Sequence, residues 1–171
     1  LLMNVALHGL EEAAGVRYRP RRGRADVAVA GTPILVRYAD DVVACCCSQQ
    51  QAEQVKARLA DWLKPRGLVF NEDKTRIVSL DEGFDFLGFN LRRYRRGCQP
   101  GKLLIKPSRD AVKRIRKRLA DEIRSQRGSN AMALIARLNP IIRGWAAYYR
   151  GVVSSDLFSA LDQYMWWLTY R

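Results

Sequence analysis

Two apolar, β-rich runs separated by a pair of aspartates constrain the fold of this 171-residue chain most strongly. The runs cover residues 34–38 and 42–47 and contain the β-branched and aromatic side chains that favour strands. Between them lie Asp40 and Asp41, and aspartate is a residue that turns favour. We therefore predict a β-hairpin that carries two acidic side chains at its tip.

The adjacent carboxylates of Asp40 and Asp41 need a compensating charge if the hairpin is even half-buried, because desolvating an unpaired charge is costly. A divalent metal is one compensator, since Mg²⁺ binds one or two protein carboxylates together with substrate phosphates and water. Enzymes of phosphoryl transfer use such ions to hold the attacking and leaving oxygens. A plain turn is the alternative, and the dipeptide by itself fits both interpretations.

The segments before the hairpin predict a helix and a loop. Apolar residues at helical spacing predict a helix over residues 1–14, and Gly15 follows where a helix commonly ends. Residues 17–24 are rich in arginine and include Pro20 and Gly23, which predicts a basic loop. Because the helix begins without a capping residue or an initiating Met, we expect that further residues precede Leu1 and that the chain is part of a longer or split protein.

The segment after the hairpin predicts a capped helix. Ser48, followed three residues later by Gln51, forms a capping-box pattern, and the apolar spacing that follows predicts a helix over residues 49–64. Three adjacent cysteines, Cys45, Cys46 and Cys47, alternate between the faces of a strand, which suits neither a disulfide framework nor a zinc site. We expect them to act as small buried hydrophobic residues.

The spacing of apolar residues changes from strand-like to helical in the rest of the chain. Strand-like runs cover residues 68–70, 76–80, 84–91 and 103–105, with turns predicted at residues 81–83 and 97–101. After Ser108 the spacing is helical, in segments that cover residues 109–127, 131–145 and 157–168, the last one capped by Ser155. The predicted fold class is α+β, with an antiparallel sheet and helices over residues 1–106 and an α-helical bundle over residues 107–171.

The charge of the chain indicates a polyanionic partner. There are 30 Lys and Arg against 17 Asp and Glu, a net charge of +13, and residues 92–127 hold fourteen basic residues against three acidic ones. In the predicted helix of this segment, Val112, Ile115, Leu119 and Ile123 form an apolar stripe surrounded by cations. Such a surface binds nucleic-acid phosphates without reading sequence, and a plain solvated face is the alternative.

Aromatic residues among the cations strengthen the case for nucleic acid, because bases stack on aromatic rings while neighbouring cations hold phosphates. Most of the aromatic residues in the last two helices are expected in the core, with the segment at Tyr149 as the exception. The nucleic-acid-binding candidates are Arg92, Arg93, Tyr94, Arg95, Arg96, Arg109, Lys113, Arg116, Lys117, Arg124, Arg143, Tyr149 and Arg150. With no long apolar run and no secretion signal, we expect a cytoplasmic protein.

Five segments resemble one enzyme family in order and spacing. Tyr38-Ala39-Asp40-Asp41 in an apolar hairpin resembles the active-site signature of reverse transcriptases. The other four are residues 1–11, similar to a palm helix, residues 68–75, similar to the segment after the next palm helix, residues 86–89, similar to the primer grip, and residues 138–145, similar to the maturase signature of the thumb. The chain thus resembles the group II intron-encoded reverse transcriptase/maturase family over nearly its whole length, as a partial palm followed by a helical thumb.

The resemblance assigns roles to the hairpin and its surroundings. It implies that Asp40 is the direct ligand of Mg²⁺, with Mn²⁺ as an alternative ion, and that Asp41 is a supporting acid. It further implies that Tyr38, Ala39 and Lys74 lie at the incoming nucleotide.

The resemblance also implies the reaction and its partners. Phe86, Leu87, Gly88 and Phe89 would form the loop under the primer end. The implied activity is RNA-directed DNA synthesis, in which the primer 3′-hydroxyl attacks the α-phosphate of a dNTP, together with binding of intron RNA during splicing. The implied partners are the RNA template, the RNA/DNA hybrid and the intron RNA.

The resemblance implies that a further aspartate on an earlier palm strand and a fingers region are also needed, and we expect both to lie outside residues 1–171. We therefore expect the isolated chain to be inactive and a fingers–palm segment or chain to complete it. One alternative is a non-catalytic RNA-binding relic or subunit. A second is a CRISPR-associated or retron reverse transcriptase, because those relatives share the Tyr-Ala-Asp-Asp hairpin.

Overall fold

The computed structural model describes residues 2–95, 101–126, 128 and 130–170. The chain divides into two compact units, Leu1–Ile77 and Val78–Arg171. This division lies before the boundary predicted near Pro107, because the strands that follow Val78 pack with the helices of the same unit. The assignment of residues 1–106 to a palm and 107–171 to a thumb stays a prediction.

The first unit begins with two short helices, α1 (Leu2–Ala6) and α2 (Leu10–Ala14), where the sequence predicted one helix. Gly9 separates them with φ at 86°, a left-handed conformation that a regular helix cannot contain. Gly15 ends α2 as predicted. The two helices place Leu10 in the core but leave Val5 exposed, because the break at Gly9 changes the direction of the apolar stripe.

The basic loop predicted over residues 17–24 is wrong, because this segment forms a hairpin. Strand β1 (Tyr18–Arg21) pairs antiparallel with β2 (Arg24–Ala28). Pro20 lies at the irregularity of the register between Arg19 and Arg21. A two-stranded sheet consists of edges alone, and an edge tolerates a proline that lacks an N–H donor.

The predicted acidic hairpin is confirmed. Strand β3 (Ile34–Tyr38) pairs antiparallel with β4 (Asp41–Cys45), from the pair Ile34 and Cys45 to the pair Tyr38 and Asp41 at the tip. The loop between them therefore consists of Ala39 and Asp40.

The capped helix after the hairpin is also confirmed. Helix α3 (Gln49–Leu63) begins after Ser48, whose hydroxyl accepts from the Gln51 backbone N–H at 3.2 Å. The Gln51 side chain in turn accepts from the Cys47 N–H at 2.7 Å, so two donors at the helix start are satisfied reciprocally. The chain then continues into a short 3₁₀ helix, Lys64–Arg66.

The core of the first unit lies between the short helices, the hairpin and α3. Its buried members are Leu7, Leu10, Ala14, Val16, Leu35, Val55, Leu59 and Leu63. The expectation that the three cysteines are buried is wrong for two of them, since Cys45 and Cys47 are exposed. Only Cys46 packs against this core, and desolvation raises the pKa of its thiol.

The strands predicted at residues 68–70 and 76–80 are wrong, because neither segment forms a ladder with another strand. Val69 is 86% exposed. The composition of these apolar runs favours β structure, but a strand also requires a neighbouring strand with which its backbone can pair.

The second unit begins with a three-stranded antiparallel sheet. Its strands are β5 (Phe84–Phe86), β6 (Phe89–Tyr94) and β7 (Lys102–Pro107), in that spatial order. Most of the turn predicted at residues 97–101 lies outside the described residues.

Three helices complete the second unit: α4 (Arg109–Ser125), α5 (Ala131–Tyr149) and α6 (Ser155–Tyr170). The hydroxyl of Ser108 and the side chain of Asn130 cap α4 and α5. The predicted cap of α6 is wrong, because Ser155 is already its first helical residue.

The apolar stripe predicted on α4 is confirmed as part of the helical core. The core consists of Ile115, Leu119, Leu138 and Leu161, with Ile123 packed against it, while Val112 is half-buried. Within the described part of the chain, no helix has the length and apolar character needed to cross a membrane.

Candidate active site and nucleic-acid interface

The tip of the acidic hairpin has an unusual backbone. Tyr38 pairs with Asp41, so the loop has only two residues, and tight loops of this length need a positive φ. Here Ala39 supplies it, with φ at 54°, although only glycine adopts this conformation without steric cost. Backbone strain in a non-glycine residue is typical of functional sites, so the tip is a candidate site.

Arg37 stabilises the strained turn. Its Nη1 atom donates to the carbonyl of Ala39 at 3.1 Å and to Oδ1 of Asn4 at 3.1 Å. The guanidinium thus connects α1 to the loop that carries Asp40. The sequence prediction missed this residue, although its place directly before Tyr38, on the same strand face as buried Leu35, was a usable signal.

The two aspartates fit part of a magnesium site. Asp40 and Asp41 are exposed, and no described Lys or Arg forms an ion pair with either of them. The described residues contain no cluster of three or more acidic, His or Cys side chains that would hold a metal alone. Two carboxylates nevertheless suit Mg²⁺, which takes its other ligands from substrate phosphates and water.

The predicted nucleotide-binding residues have different surroundings. Tyr38 is 65% exposed at the tip of the hairpin. Lys74 is exposed in a separate turn, where its N–H donates to the carbonyl of Asn71 at 3.1 Å. No hydrogen bond or ion pair among the described residues joins Lys74 to Asp40 or Asp41.

Residues 86–89 form a second tight hairpin, which we call the grip turn. Its loop residues, Leu87 and Gly88, have φ values of 50° and 82°, as a type I′ turn requires. Tyr148 donates to the Leu87 carbonyl at 2.9 Å, and Tyr149 donates to the Gly88 carbonyl at 3.2 Å. The Ser108 N–H also donates to the Gly88 carbonyl, at 2.8 Å. The grip turn is therefore held by the end of α5 and the start of α4.

Aromatic packing adds to this attachment. The ring of Phe89 stacks on Tyr148 with 5.0 Å between centroids and meets Tyr149 edge-on at 5.1 Å. Tyr149 also contacts Trp145 at 4.7 Å and is only 5% exposed. Burial raises the pKa of Tyr149, so its hydroxyl stays protonated at neutral pH and can donate.

Tyr149 therefore has a packing role, and we leave it out of the proposed RNA surface. The sequence prediction placed it there because adjacent aromatic residues cannot all face inward. The member of the pair that faces outward is Tyr148, which is 53% exposed.

The arginine cluster on β6 surrounds one aromatic ring. The guanidinium of Arg92 and the ammonium of Lys106 lie 5.6 Å and 4.7 Å from the ring centroid of Tyr94, within cation–π range. Arg95 forms an exposed ion pair of 2.6 Å with Asp81, and Arg93 is exposed. The predicted site residue Arg96 lies outside the described residues.

The cations predicted on α4 do not form one uniform surface. Lys113 and Arg124 lie near carboxylates of their own helix, Asp110 at 3.8 Å and Asp121 at 3.2 Å. Arg116 is half-buried, with its guanidinium 5.3 Å from the ring centroid of Tyr164. Arg109, Arg143 and Arg150 are exposed.

Three other cations lie along one open, exposed face of α4, which we call the basic groove. These are Arg114, Lys117 and Arg118, and no described carboxylate forms an ion pair with them. Asp121 and Glu122 also line the groove, but Arg124 and Arg137 form ion pairs with them at 3.2 Å and 3.3 Å. The sequence prediction did not single out Arg118, although its spacing of four residues from Arg114 placed both on one helix face.

Residues 1–91 match the family model described as reverse transcriptase (RNA-dependent DNA polymerase), which is more than half of the chain. The chain belongs to the reverse transcriptase family. Residues 112–171 match the model described as group II intron, maturase-specific domain, so this reverse transcriptase is of the group II intron type. A comparison with curated proteins found no match.

The two matches cover different structural elements of this reverse transcriptase. The polymerase match contains the acidic hairpin and the grip turn, and it ends at Leu91 within β6. The maturase match contains α5 and α6 and most of α4. Tyr148 and Tyr149 thus connect the maturase part directly to the grip turn of the polymerase part.

Replacing Gly88 with Ala should destabilise the second unit by about 1–2 kcal/mol from backbone strain, with a further loss from steric conflict. Its φ is 82°, and a Cβ would lie 2.7 Å from the Tyr149 hydroxyl oxygen. Gly128→Ala is the matched control, since Gly128 also has a positive φ, of 89°, but no atom within 4 Å of a Cβ. Urea unfolding of both variants measures the difference, and equal losses would contradict a close contact at Gly88.

Proposed function

We propose that this chain supplies the acidic hairpin, the primer grip and the RNA-binding thumb for RNA-directed DNA synthesis and for binding of intron RNA in splicing. One observation carries the proposal. Asp40 and Asp41 lie exposed and without a described ion pair on a two-residue turn, whose strained Ala39 is held by Arg37. A turn with no function gains nothing from this strain, whereas a metal site needs carboxylates in a fixed position.

In this proposal Asp40 is the direct ligand of Mg²⁺ and Asp41 supports it. The ion, when bound together with the nucleotide, supplies positive charge against the phosphate oxygens. Tyr38 and Ala39 border the nucleotide through their place at the tip, and Lys74 adds a cation for its phosphates. The chain contributes position and charge, which are the main sources of rate in phosphoryl transfer.

The grip turn orients the primer end in the proposed reaction. The primer 3′-hydroxyl attacks the α-phosphate of the incoming dNTP, the new ester bond forms and pyrophosphate leaves. A primer displaced by about 1 Å loses much of the rate. The hydrogen bonds from Tyr148 and Tyr149 to the turn carbonyls therefore have a role in positioning.

Primer extension tests the proposal. The chain is mixed with an RNA template, a DNA primer, dNTPs and Mg²⁺, with and without a fingers–palm segment of the family in trans. We expect template-dependent product only in the presence of that segment. Product from the chain alone would contradict our expectation that the isolated chain is inactive, and no product in either mixture would favour the second candidate function.

The second candidate is a non-catalytic RNA-binding protein. This function is favoured by the small number of acidic groups at the hairpin tip. Asp40 and Asp41 are the two carboxylates there, and the described residues contain no cluster of three or more Asp, Glu, His or Cys side chains that could hold a metal ion. Under this function, RNA binding persists and no condition yields DNA synthesis.

The basic groove should account for much of the salt dependence of RNA binding. Replacing Arg114, Lys117 and Arg118 together with Gln should flatten the slope of log affinity against log salt by about two units, at roughly 0.7 per lost phosphate contact on a single strand. Fluorescence anisotropy at several salt concentrations measures the slope.

The matched control for this experiment replaces three exposed cations of the first unit, Lys56, Arg58 and Arg76, with Gln. The total charge changes equally, so a comparable flattening in the control would show a general charge effect and would contradict a role for the groove.

A further inference from the structure

A cleft of about 480 Å³ lies between α4 and α5 in the second unit. Its volume falls within the range of about 300–1,000 Å³ that is typical of sites for small ligands. Ile115 and Arg118 line it from α4, and Gly144, Trp145 and Tyr148 line it from α5. Tyr149, which the sequence predicted as a nucleic-acid-binding residue, also lines the cleft, and both Tyr148 and Tyr149 hold the grip turn through their hydroxyls. The space between the two helices itself has no part in the proposed polymerase and primer-grip roles.

The sequence of α5 creates the space. Pro140 and Gly144 both line the cleft and lie four residues apart, on one helix face. Pro140 lacks the N–H that would bond to the Ala136 carbonyl, and Gly144 leaves open space, since a Cβ there would meet no atom within 4 Å. Both residues are unfavourable in a helix interior, and no neighbouring atom is close enough to Gly144 to require the absence of a side chain there. This face of α5 is therefore open at Gly144.

The walls have the chemistry of a nucleobase site. Trp145 is half-buried, and Tyr148 presents an exposed ring beside it. Arg118 is exposed and lines both the cleft and the basic groove, so this residue adjoins both. Flat aromatic walls suit the face of a base, and the cations beside them suit the phosphates of the same strand.

We propose that this cleft binds one unpaired nucleobase of an RNA strand whose phosphates lie in the basic groove. The inference rests on the proposed RNA-binding function and names a subsite within it. The base stacks on the wall formed by Trp145 and Tyr148, and Arg118 contacts the adjoining phosphate. Because Tyr148 also donates to the Leu87 carbonyl, the bound base adjoins a residue that holds the grip turn.

Two oligomers of equal length and charge test the proposal, a single-stranded RNA and an abasic ribose–phosphate strand. The full chain should bind the RNA roughly tenfold more tightly, as expected for one stacked base. Gly144→Leu fills the cleft and should reduce this preference to about twofold or less. The slope of affinity against salt should not change in this variant, because the phosphate contacts remain.

Gly151→Leu is the matched control, since Gly151 is exposed, lies outside the cleft and has no atom within 4 Å of a Cβ. It should keep the full preference for RNA. Circular dichroism checks the fold of each variant. An RNA that carries 2-aminopurine gives a measurement independent of the variants, because stacking on the aromatic wall should quench its fluorescence in complex with the unmodified chain.

The outcomes separate the inference from the function on which it rests. Equal binding of the two oligomers, an unchanged preference in Gly144→Leu, or unquenched 2-aminopurine would overturn the nucleobase subsite and leave RNA binding in the basic groove intact. Absence of salt-dependent binding to either oligomer would overturn the proposed RNA-binding function, and the subsite with it.

Discussion

Replacing Asp40 with Asn is expected to abolish Mg²⁺-dependent primer extension, with a fall in rate of roughly 10³-fold or more. Asn has nearly the same shape as Asp but lacks the negative charge that a hard cation requires. The catalysis in this reaction depends mainly on charge and position, so the loss of one ligand removes most of the rate. The assay is extension of a primer on RNA by the chain with a fingers–palm segment in trans.

Asp26→Asn is the matched control, because Asp26 is exposed on β2 and no described cation forms an ion pair with it. It should retain the full rate. Asp41→Asn should have a smaller effect than Asp40→Asn, in keeping with a supporting role. If the Asp40→Asn variant extended the primer as fast as the unmodified chain, the acidic hairpin would not be part of the active site.

The second large effect is expected at Tyr149, whose replacement by Ala should destabilise the second unit by about 3–5 kcal/mol, as for other buried aromatic residues. The ring packs against Phe89 and Trp145, and its hydroxyl donates to the Gly88 carbonyl at 3.2 Å. The change removes both the packing and the attachment of the grip turn. Urea unfolding, monitored by tryptophan fluorescence, measures the loss.

Tyr149→Phe separates the two contributions, because it keeps the ring and removes the donor. It should cost only about 0.5–1.5 kcal/mol, since the Gly88 carbonyl still accepts from the Ser108 N–H. Tyr170→Ala is the control for aromatic loss at a surface, because Tyr170 is 77% exposed. It should stay within about 0.5 kcal/mol of the unmodified chain.

The proposed positioning role of Tyr149 makes a kinetic prediction that a purely structural role does not. Tyr149→Phe should lower the rate of primer extension at saturating dNTP while the RNA affinity of the basic groove stays the same. A loss of stability without a change in this rate would restrict Tyr149 to packing the second unit.

Local signals predicted a large part of the fold. The acidic hairpin was predictable because two turn-forming residues lie between two runs of β-favouring residues. Such a short turn lets the two runs pair directly as antiparallel strands. Helix α3 was predictable from Ser48 and Gln51, whose hydrogen bonds involve only residues within one helical turn. The buried stripe of α4 was predictable because its period is that of a helix with one face in a core.

The errors concern backbone pairing and backbone conformation. Residues 68–70 and 76–80 have strand-like composition but no strand beside them, and residues 17–24 look like a loop but pair with a neighbour. The broken helix at Gly9 depended on one backbone conformation that composition does not reveal.

The sequence by itself determined the residues available for chemistry: a pair of adjacent acids between apolar strands, an excess of basic residues and the motifs that resemble a reverse transcriptase. These are properties of composition and short spacing, which remain the same in any fold of the chain. Only the tertiary structure decided which cations are available for phosphate, since Arg116 packs on Tyr164 while Arg118 lines the groove. It also decided that Tyr149 holds the grip turn, because 61 residues separate it from Gly88 and only packing brings them together.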